Sequence, residues 1–294
     1  MAAYDASKLN LPFMKYRRAA LCISLILILA SLAALATRGV NYSVDFTGGV
    51  ALQLDFEEPV DIGAVREALS GADQGQATIQ AYDEHNILVR YQDSSEETRS
   101  EMMNALEARF GAVSIVKIDE VGPVVGRELR RQATVAVGLA IVAILIYMAI
   151  RFRFRFGAAA VAALVHDTII MLGVYSLTQR EISTSFIAAI LTVIGYSLND
   201  TIVVLDRVRE NWGKIRSAGV LDLVNTSVNQ TLTRTIFTAL TTLMPVLAMF
   251  LFGGEVISNL AFAFLIGIVV GTYSSIYVAS SIVAEWYLRK PDKG

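Results

Sequence analysis

The sequence predicts a polytopic α-helical membrane protein with six transmembrane helices and one small α+β domain outside the membrane. The first observation is composition: the 294 residues are 54% hydrophobic and only 18% charged, a more apolar balance than that of a typical soluble domain. The second is six long apolar stretches, each close to the roughly 20 residues that cross a bilayer. The third is a polar segment, residues 38–132, that separates the first two stretches and shows strand and helix periods.

Composition and missing motifs exclude several classes of protein. The net charge of −2 gives no general attraction to nucleic acid, so we expect no such partner. The single cysteine, Cys22, cannot form an internal disulfide or a cysteine-based metal cluster. The sequence has no G-x-x-x-x-G-K-[ST] phosphate loop, no H-E-x-x-H zinc motif and no G-x-S-x-G elbow. We therefore expect that the protein is not an enzyme and that it binds no metal and no cofactor. If it performs work, the energy must come from an ion gradient or from a partner protein.

The apolar stretches set the segment boundaries. Spans are predicted at residues 19–37, 133–150, 157–177, 184–205, 233–252 and 260–284, with an N-terminus at 1–18, an external domain at 38–132, a loop at 206–232 and a tail at 285–294. The first span follows three cationic residues, as a signal peptide would, but its apolar run is too long for one. We therefore expect this helix to be retained.

The distribution of lysine and arginine predicts the orientation. Cationic residues concentrate at both termini, between the second and third spans, and between the fourth and fifth spans. They are Lys8, Lys15, Arg17, Arg18, Arg151, Arg153, Arg155, Arg207, Arg209, Lys214, Arg216, Arg289, Lys290 and Lys293. The third-to-fourth connection has only Arg180, and the fifth-to-sixth has none. Because short cytoplasmic loops carry the excess of positive charge, both termini are predicted to be cytoplasmic.

Side-chain periodicity in the external segment predicts the element order βαββαβ. Strands are expected at 51–56, 77–82, 86–91 and 113–118, and helices at 61–69 and 94–110. Asp61 is placed to cap the first helix, and Asp83-Glu84-His85 form a turn between the two middle strands. This order is the ferredoxin-like arrangement. Because that fold hosts many functions, it predicts a compact module and no particular activity.

The loop at 206–232 contains an amphipathic pattern. Its apolar residues Leu221, Val224, Val228 and Leu232 recur at helical spacing. This pattern predicts a helix that lies on the cytoplasmic membrane interface, with its apolar face in the lipid.

Charged residues inside the spans are the first candidates for function, because each costs about 2.5–3.5 kcal/mol or more at mid-membrane. Asp167 lies near the middle of the third span, Asp200 near the cytoplasmic end of the fourth and Arg234 at the start of the fifth. The fourth span carries a polar stripe of Thr192, Tyr196, Asn199, Asp200 and Arg207; the fifth carries Thr231, Arg234, Thr235, Thr238, Thr241 and Thr242. If the stripes face each other, they bury an Asp200–Arg234 pair and a row of hydroxyls that can carry protons or water.

Each of these residues also has a structural interpretation. Arg234 lies near a membrane boundary, where its side chain can snorkel to the headgroups. Asp167 can be a hydrogen-bonding support beside His166, and the threonines can be helix–helix contacts. Gly267 and Gly271 form a small-xxx-small pattern, which favours close helix packing over chemistry.

Three segments carry the motifs that suggest a family. Residues 45–49 read Asp-Phe-Thr-Gly-Gly, residues 121–129 contain Val-Gly-Pro and Gly-Arg-Glu-Leu, and residues 195–211 run from Gly-Tyr-Ser-Leu-Asn-Asp to Asp-Arg-Val-Arg-Glu-Asn. The motif positions are Asp45, Gly48, Gly49, Gly122, Pro123, Gly126, Glu128, Asp206 and Arg207. With the six spans and His166-Asp167, they resemble the SecF family over the whole chain. SecF is the smaller subunit of the bacterial SecD–SecF accessory complex of the protein translocase.

The resemblance implies a member of the resistance-nodulation-division superfamily in the bacterial inner membrane. Such a protein would form a heterodimer with SecD and work with the SecYEG channel, with YajC and YidC as further partners and membrane lipid around it. Its client would be an unfolded secretory polypeptide, drawn outward late in export by the proton motive force without ATP. The resemblance assigns proton coupling to Asp200 and Arg234, with Asn199 and Tyr196, and agrees with support from Asp167, His166, Thr235 and Thr238.

Two alternatives remain open from the sequence. One is half of a small-molecule or lipid exporter of the same superfamily, for which the external segment leaves little room for a substrate cavity. The other is a structural assembly subunit without ion coupling. This second alternative predicts that all three intramembrane charges tolerate neutral replacement.

Overall fold

The computed structural model describes residues 10–71, 77–81, 84–212 and 219–289. Its helices are α1 (Arg17–Arg38), α2 (Val44–Thr47), α3 (Ile62–Gly71), α4 (Glu96–Phe110), α5 (Pro123–Arg151), α6 (Phe154–Thr178), α7 (Thr184–Trp212), α8 (Gly219–Phe252), α9 (Glu255–Tyr273) and α10 (Ser280–Arg289). Its strands are β1 (Asn41–Tyr42), β2 (Gly49–Phe56), β3 (Thr78–Ala81), β4 (Asn86–Tyr91), β5 (Val113–Val121) and β6 (Glu181–Ile182). A 3-10 turn (Phe13–Lys15) precedes α1, and a π-helical segment (Ser274–Ala279) joins α9 to α10.

The chain divides into two compact units, the external unit Tyr42–Val135 and a helical unit formed by Met1–Asn41 and Ala136–Gly294. Parts of the sequence predictions lie outside the described residues. They are residues 1–9 of the N-terminus, Tyr82 and Asp83 of the middle strand and turn, the loop residues Lys214 and Arg216, and residues 290–294 of the tail.

Within the described ranges, six helices are long and apolar enough to cross a membrane, which confirms the predicted number and order of spans. They are Arg17–Arg38, Pro123–Arg151, Phe154–Thr178, Thr184–Trp212, Gly219–Phe252 and Ile257–Arg289. The helices extend beyond the apolar runs because polar residues in the last turns still continue the backbone hydrogen bonds.

The structure differs from the prediction in the segment 206–232. α7 continues to Trp212, and α8 is one helix from Gly219 through the fifth span. The predicted interfacial helix is the first part of α8, and its apolar face packs in the protein core: Val224 and Val228 are fully buried. An apolar face at helical spacing looks the same in sequence whether lipid or protein covers it, which explains the difference.

Close helix contacts occur at glycines. A Cβ atom on Gly271 of α9 would lie 2.9 Å from the Cβ atom of Ser197 on α7, and one on Gly267 would meet the side chain of Val193. A Cβ atom on Gly173 of α6 would likewise overlap Ser31 of α1. Gly267 and Gly271 therefore serve packing, as the small-xxx-small pattern predicted.

The N-terminal strap, residues 10–16, is fixed to α8 by two asparagines. Asn229 accepts a hydrogen bond from the backbone nitrogen of Leu11 (2.8 Å) and donates one to its carbonyl oxygen (2.9 Å). Asn225 accepts a further bond from the backbone nitrogen of Met14 at 3.2 Å. The strap thus holds the first part of α8 beside the start of α1.

The external unit contains a four-stranded antiparallel sheet in the order β3-β4-β2-β5. The elements follow the predicted βαββαβ order, with α3 and α4 contributing to one core. Its fully buried residues are Leu52, Leu54, Val65, Leu69, Ile87, Val89, Met102 and Leu106. Asp61 caps α3, since its Oδ2 accepts from the backbone nitrogens of Gly63 (2.8 Å) and Ala64 (3.3 Å).

Candidate functional site

Asp167 forms the centre of a hydrogen-bonded cluster in the helical unit. It is 2% exposed, and its Oδ2 accepts hydrogen bonds from the hydroxyls of Ser197 on α7 (2.6 Å) and Ser274 of the π-helical segment (2.8 Å). Its Oδ1 lies 2.8 Å from Nδ1 of His166. Both carboxyl oxygens thus have hydrogen-bond partners, and Asp167 ties α6 to two other elements.

His166 and the tyrosines beside it extend this cluster toward α1. The His166 ring stacks on Tyr273, with ring centroids 6.2 Å apart. The Tyr273 hydroxyl donates to the carbonyl oxygen of Ala20 at 2.7 Å. His166 Nε2 is buried without a hydrogen-bond partner among the described residues.

Asp200 of α7 is equally buried, at 3% exposure, but its environment is different. Its Oδ2 has no hydrogen-bond partner within the described part of the chain. Such an unsatisfied oxygen costs a folded protein free energy, so it requires an explanation. Asp200 is therefore the intramembrane carboxyl with unused capacity to bind a proton or water.

Arg234 is placed differently from the sequence prediction. Its side chain is exposed, and no ion pair joins it to Asp200 among the residues that the structure describes, although the two are close enough to interact electrostatically. The buried Asp200–Arg234 pair is therefore absent. Arg234 instead lines a cleft of about 530 Å³ between α7 and α8, with Ile202, Val203, Asp206, Arg207, Arg209, Glu210, Gln230 and Thr231.

The polar stripe of α7 does not face inward as a whole. Thr192 and Asn199 are exposed on the surface of this chain, while Asp200 is buried and Tyr196 is half-buried. The Tyr196 hydroxyl lacks a hydrogen bond among the described groups; Thr242 lies beside it, but its hydroxyl donates to the Thr238 carbonyl oxygen at 2.9 Å. Part of the stripe therefore lies on an outer face of the protein.

The threonines of α8 mostly bond to their own helix. Thr231, Thr241 and Thr242 each donate to a backbone carbonyl one turn earlier, which is the usual way a hydroxyl is satisfied inside a helix. Thr235 is the exception: it is 1% exposed and its hydroxyl is unpaired among the described groups. Unpaired oxygens of Asp200, Tyr196 and Thr235 therefore come from the two helices that carry the predicted stripes.

One end of the helical unit gathers ion pairs. Asp206 of α7 binds Arg151 of α5 and Arg209 of its own helix. Arg17 of α1 binds Glu285 of α10, with Nε 2.9 Å from Oε1. This end is the one for which the lysine and arginine distribution predicts the cytoplasm.

Several site residues were not predicted from the sequence. Ser197 and Ser274 complete the Asp167 cluster, and the hydroxyls of Thr201 and Ser275 lie 2.9 Å apart beside it. Their only sequence signal is the consecutive serines at 274 and 275 within an apolar span. Small hydroxyl residues are common in membrane helices, so this signal does not identify a partner.

Comparisons with known proteins agree with the motifs. The family described as Protein export membrane protein SecD/SecF, C-terminal, matches residues 101–289, and the SecD/SecF GG Motif matches residues 33–60. The Protein translocase subunit SecF of Desulfurispirillum indicum is 46% identical over 291 residues, which cover 95% of this chain and 92% of that protein. The Protein translocase subunit SecDF of Thermus thermophilus is 44% identical over 275 residues, or 90% of this chain and 37% of that one.

Two solved structures show the same fold. The crystal structure of SecDF from Thermus thermophilus, a translocon-associated membrane protein, has a TM-score of 0.87 and 41% identity over 96% of this chain and 39% of that one. SecDF in a super-membrane-facing form has a TM-score of 0.72 and 40% identity with the same coverage. This chain is therefore similar to one part of a longer protein.

Proposed function

We propose that this chain, which belongs to the SecF family of protein translocase subunits, couples a transmembrane proton gradient to the late, ATP-independent export of secretory polypeptides. Asp200 is the residue that binds and releases the proton. The single observation that carries this assignment is the buried, unpaired Oδ2 of Asp200 beside a cleft that holds Arg234.

The contrast between the two buried aspartates supports Asp200 over Asp167. Each carboxyl oxygen of Asp167 already has a hydrogen-bond partner, so this residue serves as a joint between helices. Asp200 lacks a donor on Oδ2, and an uncompensated charge in a low-dielectric site is costly. Movement of Arg234 toward Asp200 would favour the ionised carboxylate, and movement away would favour the protonated form.

A SecD partner is supported by the relatives and by the surface of α7. The Thermus relative carries SecD and SecF in one chain, as its name SecDF states. On α7, the exposed amide of Asn199 and hydroxyl of Thr192 would face hydrocarbon if this chain stood alone. Exposed polar side chains in a span are costly in lipid, so we assign this face to the partner subunit. The channel SecYEG, together with YajC and YidC, belongs to the same proposal.

The energy supply is sufficient for such a cycle. Moving one charge across a membrane potential of about 150 mV releases about 3.5 kcal/mol. Converting a two-state population from 1:99 to 99:1 takes about 5.5 kcal/mol. Two protons per cycle can therefore drive a conformational change that the external domain passes on to a polypeptide.

The orientation belongs to the same proposal. The ion-pair end formed by Arg17, Arg151 and Asp206 is assigned to the cytoplasm, and Arg180, near the opposite ends of α6 and α7, to the outside. Both termini are then cytoplasmic in a multi-pass protein of the bacterial inner membrane, and the cleft at Arg234 opens toward the cytoplasm.

The test is export into vesicles that contain SecYEG, SecD and this chain, with and without an imposed proton gradient. Asp200→Asn keeps the size of the side chain and removes its titration. Thr178→Val is the control, because Thr178 is exposed near the end of α6, belongs to neither polar stripe, and its hydroxyl donates to the Val174 carbonyl oxygen at 2.8 Å.

We expect the gradient to accelerate late export for wild type and Thr178→Val, and to have no effect on Asp200→Asn. Equal acceleration for all three proteins would remove Asp200 from the coupling site. Lack of acceleration for wild type would favour a structural subunit without ion coupling.

A further inference from the structure

Two motif segments that are far apart in sequence meet within the external unit. A Cβ atom on Gly126 of α5 would lie 3.2 Å from the backbone nitrogen of Gly48 and 3.5 Å from the carbonyl oxygen of Asp45. Gly48 has a φ of +73°, and a Cβ atom on it would lie 3.4 Å from Cα of Pro123. Because neither glycine has a side chain, the turn after α2 packs on α5 backbone against backbone.

A charged hydrogen bond reinforces this contact. Nη2 of Arg130 donates to the carbonyl oxygen of Phe46 at 2.7 Å. Arg130 is four residues after Gly126 and therefore lies on the same face of α5. Phe46 is 6% exposed, so its backbone is anchored in the unit. Bonds from an ionised donor are stronger than neutral ones.

The same turn is also fixed to the sheet. Gly49 begins β2, an inner strand, and pairs with Val121 of β5. Its φ is +104°, and a Cβ atom there would collide with the carbonyl oxygen of Tyr91 on β4. The turn at 45–49 is thus held by the sheet on one side and by α5 on the other.

α5 continues from this contact into a span. It is one helix from Pro123 to Arg151, and Pro123 at its first position is the only proline in it. Only 6% of the residues in its most apolar stretch are buried within this chain. A helix held firmly at one end and packed loosely along its span is suited to transmit a tilt.

We propose that Gly48, Gly126 and Arg130 are positioning residues that clamp α5 to the external sheet, so that movement of this span moves the external domain as a rigid body. The proposal rests on the proposed function, since it names the element that carries the conformational change to the client. Two of the clamp residues, Gly48 and Gly126, are motif positions to which the proposed proton coupling gives no role.

The first experiment changes the stiffness of α5 without changing the clamp residues Gly48, Gly126 and Arg130. A short Gly-Ser insertion between Arg131 and Gln132 makes α5 flexible just after the clamp. An alanine-rich insertion of the same length keeps α5 helical. Both variants lengthen the connection between the clamp and the span by the same number of residues. Only the alanine-rich insertion keeps α5 a continuous stiff helix, which can transmit a tilt of the span to the domain.

In the vesicle export assay, we expect the helical insertion to retain gradient-dependent acceleration and the Gly-Ser insertion to lose it. Equal behaviour of the two insertions, whether both are active or both inactive, overturns the proposal. If wild type itself shows no acceleration, the proposed function fails, and the clamp is then judged by the second experiment.

The second experiment measures the clamp directly in the full chain with Cys22→Ser. Spin labels at Val116 of β5 and Gln132 of α5, both exposed, report the distance between sheet and helix. We expect a narrow distance distribution for wild type, a broad one for Arg130→Ala and recovery for Arg130→Lys. Arg131→Ala is the matched control, because Arg131 is exposed and, among the described residues, it pairs with Glu128 at 3.7 Å and not with the turn at 45–49. Identical distributions for Arg130→Ala and Arg131→Ala would show that Arg130 does not clamp α5.

Discussion

Nδ1 of His166 lies 2.8 Å from Oδ1 of Asp167, although the two residues are consecutive on α6. Consecutive side chains point about 100° apart on a helix, and the sequence therefore does not predict that they meet. The contact leaves Oδ2 of Asp167 free to accept from Ser197 and Ser274. Asp167 is thus a fully bonded joint between α6, α7 and the π-helical segment, whereas Asp200 has an unpaired oxygen.

Replacement of Asp167 should cost more stability when the new side chain cannot accept hydrogen bonds. Asp167→Leu leaves the Ser197 hydroxyl buried without its acceptor, at a cost of about 1–3 kcal/mol, whereas the Ser274 hydroxyl keeps the Gly271 carbonyl oxygen at 3.1 Å. Asp167→Asn keeps one acceptor oxygen and should lose less. Thermal unfolding in detergent measures the difference, and equal midpoints for the two variants would contradict the joint.

Gly173 should not tolerate a side chain, because α1 touches α6 at this position. We expect Gly173→Ala to destabilise the protein by about 1–3 kcal/mol through overpacking against Ser31. The control is Gly138→Ala in α5, where a Cβ atom meets nothing within 4 Å. That change should be neutral or slightly stabilising, since alanine favours a helix by about 0.5–1 kcal/mol.

A second variant separates this clash from a general effect of alanine. Ser31→Gly combined with Gly173→Ala should recover only part of the lost stability, because it removes the Ser31 side-chain atoms that the new Cβ atom would overlap but leaves the Ser31 Cα atom 2.6 Å from it. A double variant as unstable as Gly173→Ala would show that the Ser31 side chain is not the cause of the clash.

The N-terminal strap should loosen when Asn229 is replaced. Asn229→Leu removes two hydrogen bonds to the backbone of Leu11, each worth about 0.5–1.5 kcal/mol net. We expect a lower unfolding temperature and faster proteolysis within residues 10–16. Thr192→Leu, an exposed change on α7, should alter neither. Unchanged cleavage of Asn229→Leu would mean that apolar packing of Phe13 and Met14 alone holds the strap.

Asp93 should make the external unit sensitive to acid. The Thr98 hydroxyl (2.8 Å), the backbone nitrogen of Ser95 and the Ser95 hydroxyl all donate to its carboxylate, and they hold its pKa below the usual 3.8. A carboxyl with a lowered folded-state pKa stabilises the fold above its ordinary pKa. That contribution disappears as the pH falls through the folded-state value.

Hydrogen exchange of the α4 amides in the full chain measures this effect after correction for intrinsic exchange rates. Asp93→Asn should speed exchange at neutral pH and make little difference in strong acid. The control is Glu101→Gln on the exposed face of α4. A difference between Asp93→Asn and wild type that persists unchanged in strong acid would show that the ionised carboxylate is not responsible.

The sequence predicted those features that depend on long or repeated patterns. The six spans follow from long apolar stretches. The βαββαβ order follows from apolar residues that recur once per turn in helices and at every second position in strands. Asp61 was predicted as a cap because its bonds are local. Asp200 was predicted to be buried because a charged residue within a long apolar stretch must lie inside a membrane span.

Features that depend on three-dimensional neighbours could not be predicted in this way. The exposure of Arg234 and Asn199 depends on which faces of α7 and α8 this chain covers, and a polar stripe is compatible with either a core or a partner surface. The burial of Val224 and Val228 against protein depends on the path of the strap. The motif glycines 48 and 126 were visible, but their mutual contact joins segments separated by most of the external unit.

The π-helical segment affects how the last span contacts two neighbouring helices, α6 and α7, at the same level along its axis. An α-helix directs consecutive side chains to faces about 100° apart, whereas the wider π turn accommodates an additional residue and shifts the register of everything after it. Ser274 and Ser275 are both fully buried, yet one donates to Asp167 of α6 and the other lies 2.9 Å from the Thr201 hydroxyl of α7. Deletion of a single residue from this segment would restore a regular α-helix in which the residues that follow keep their rotational phase, so Tyr287 would stay beside Trp212, its ring partner at 4.1 Å. The additional residue is therefore tied to the two serine contacts and not to the alignment of the end of the span.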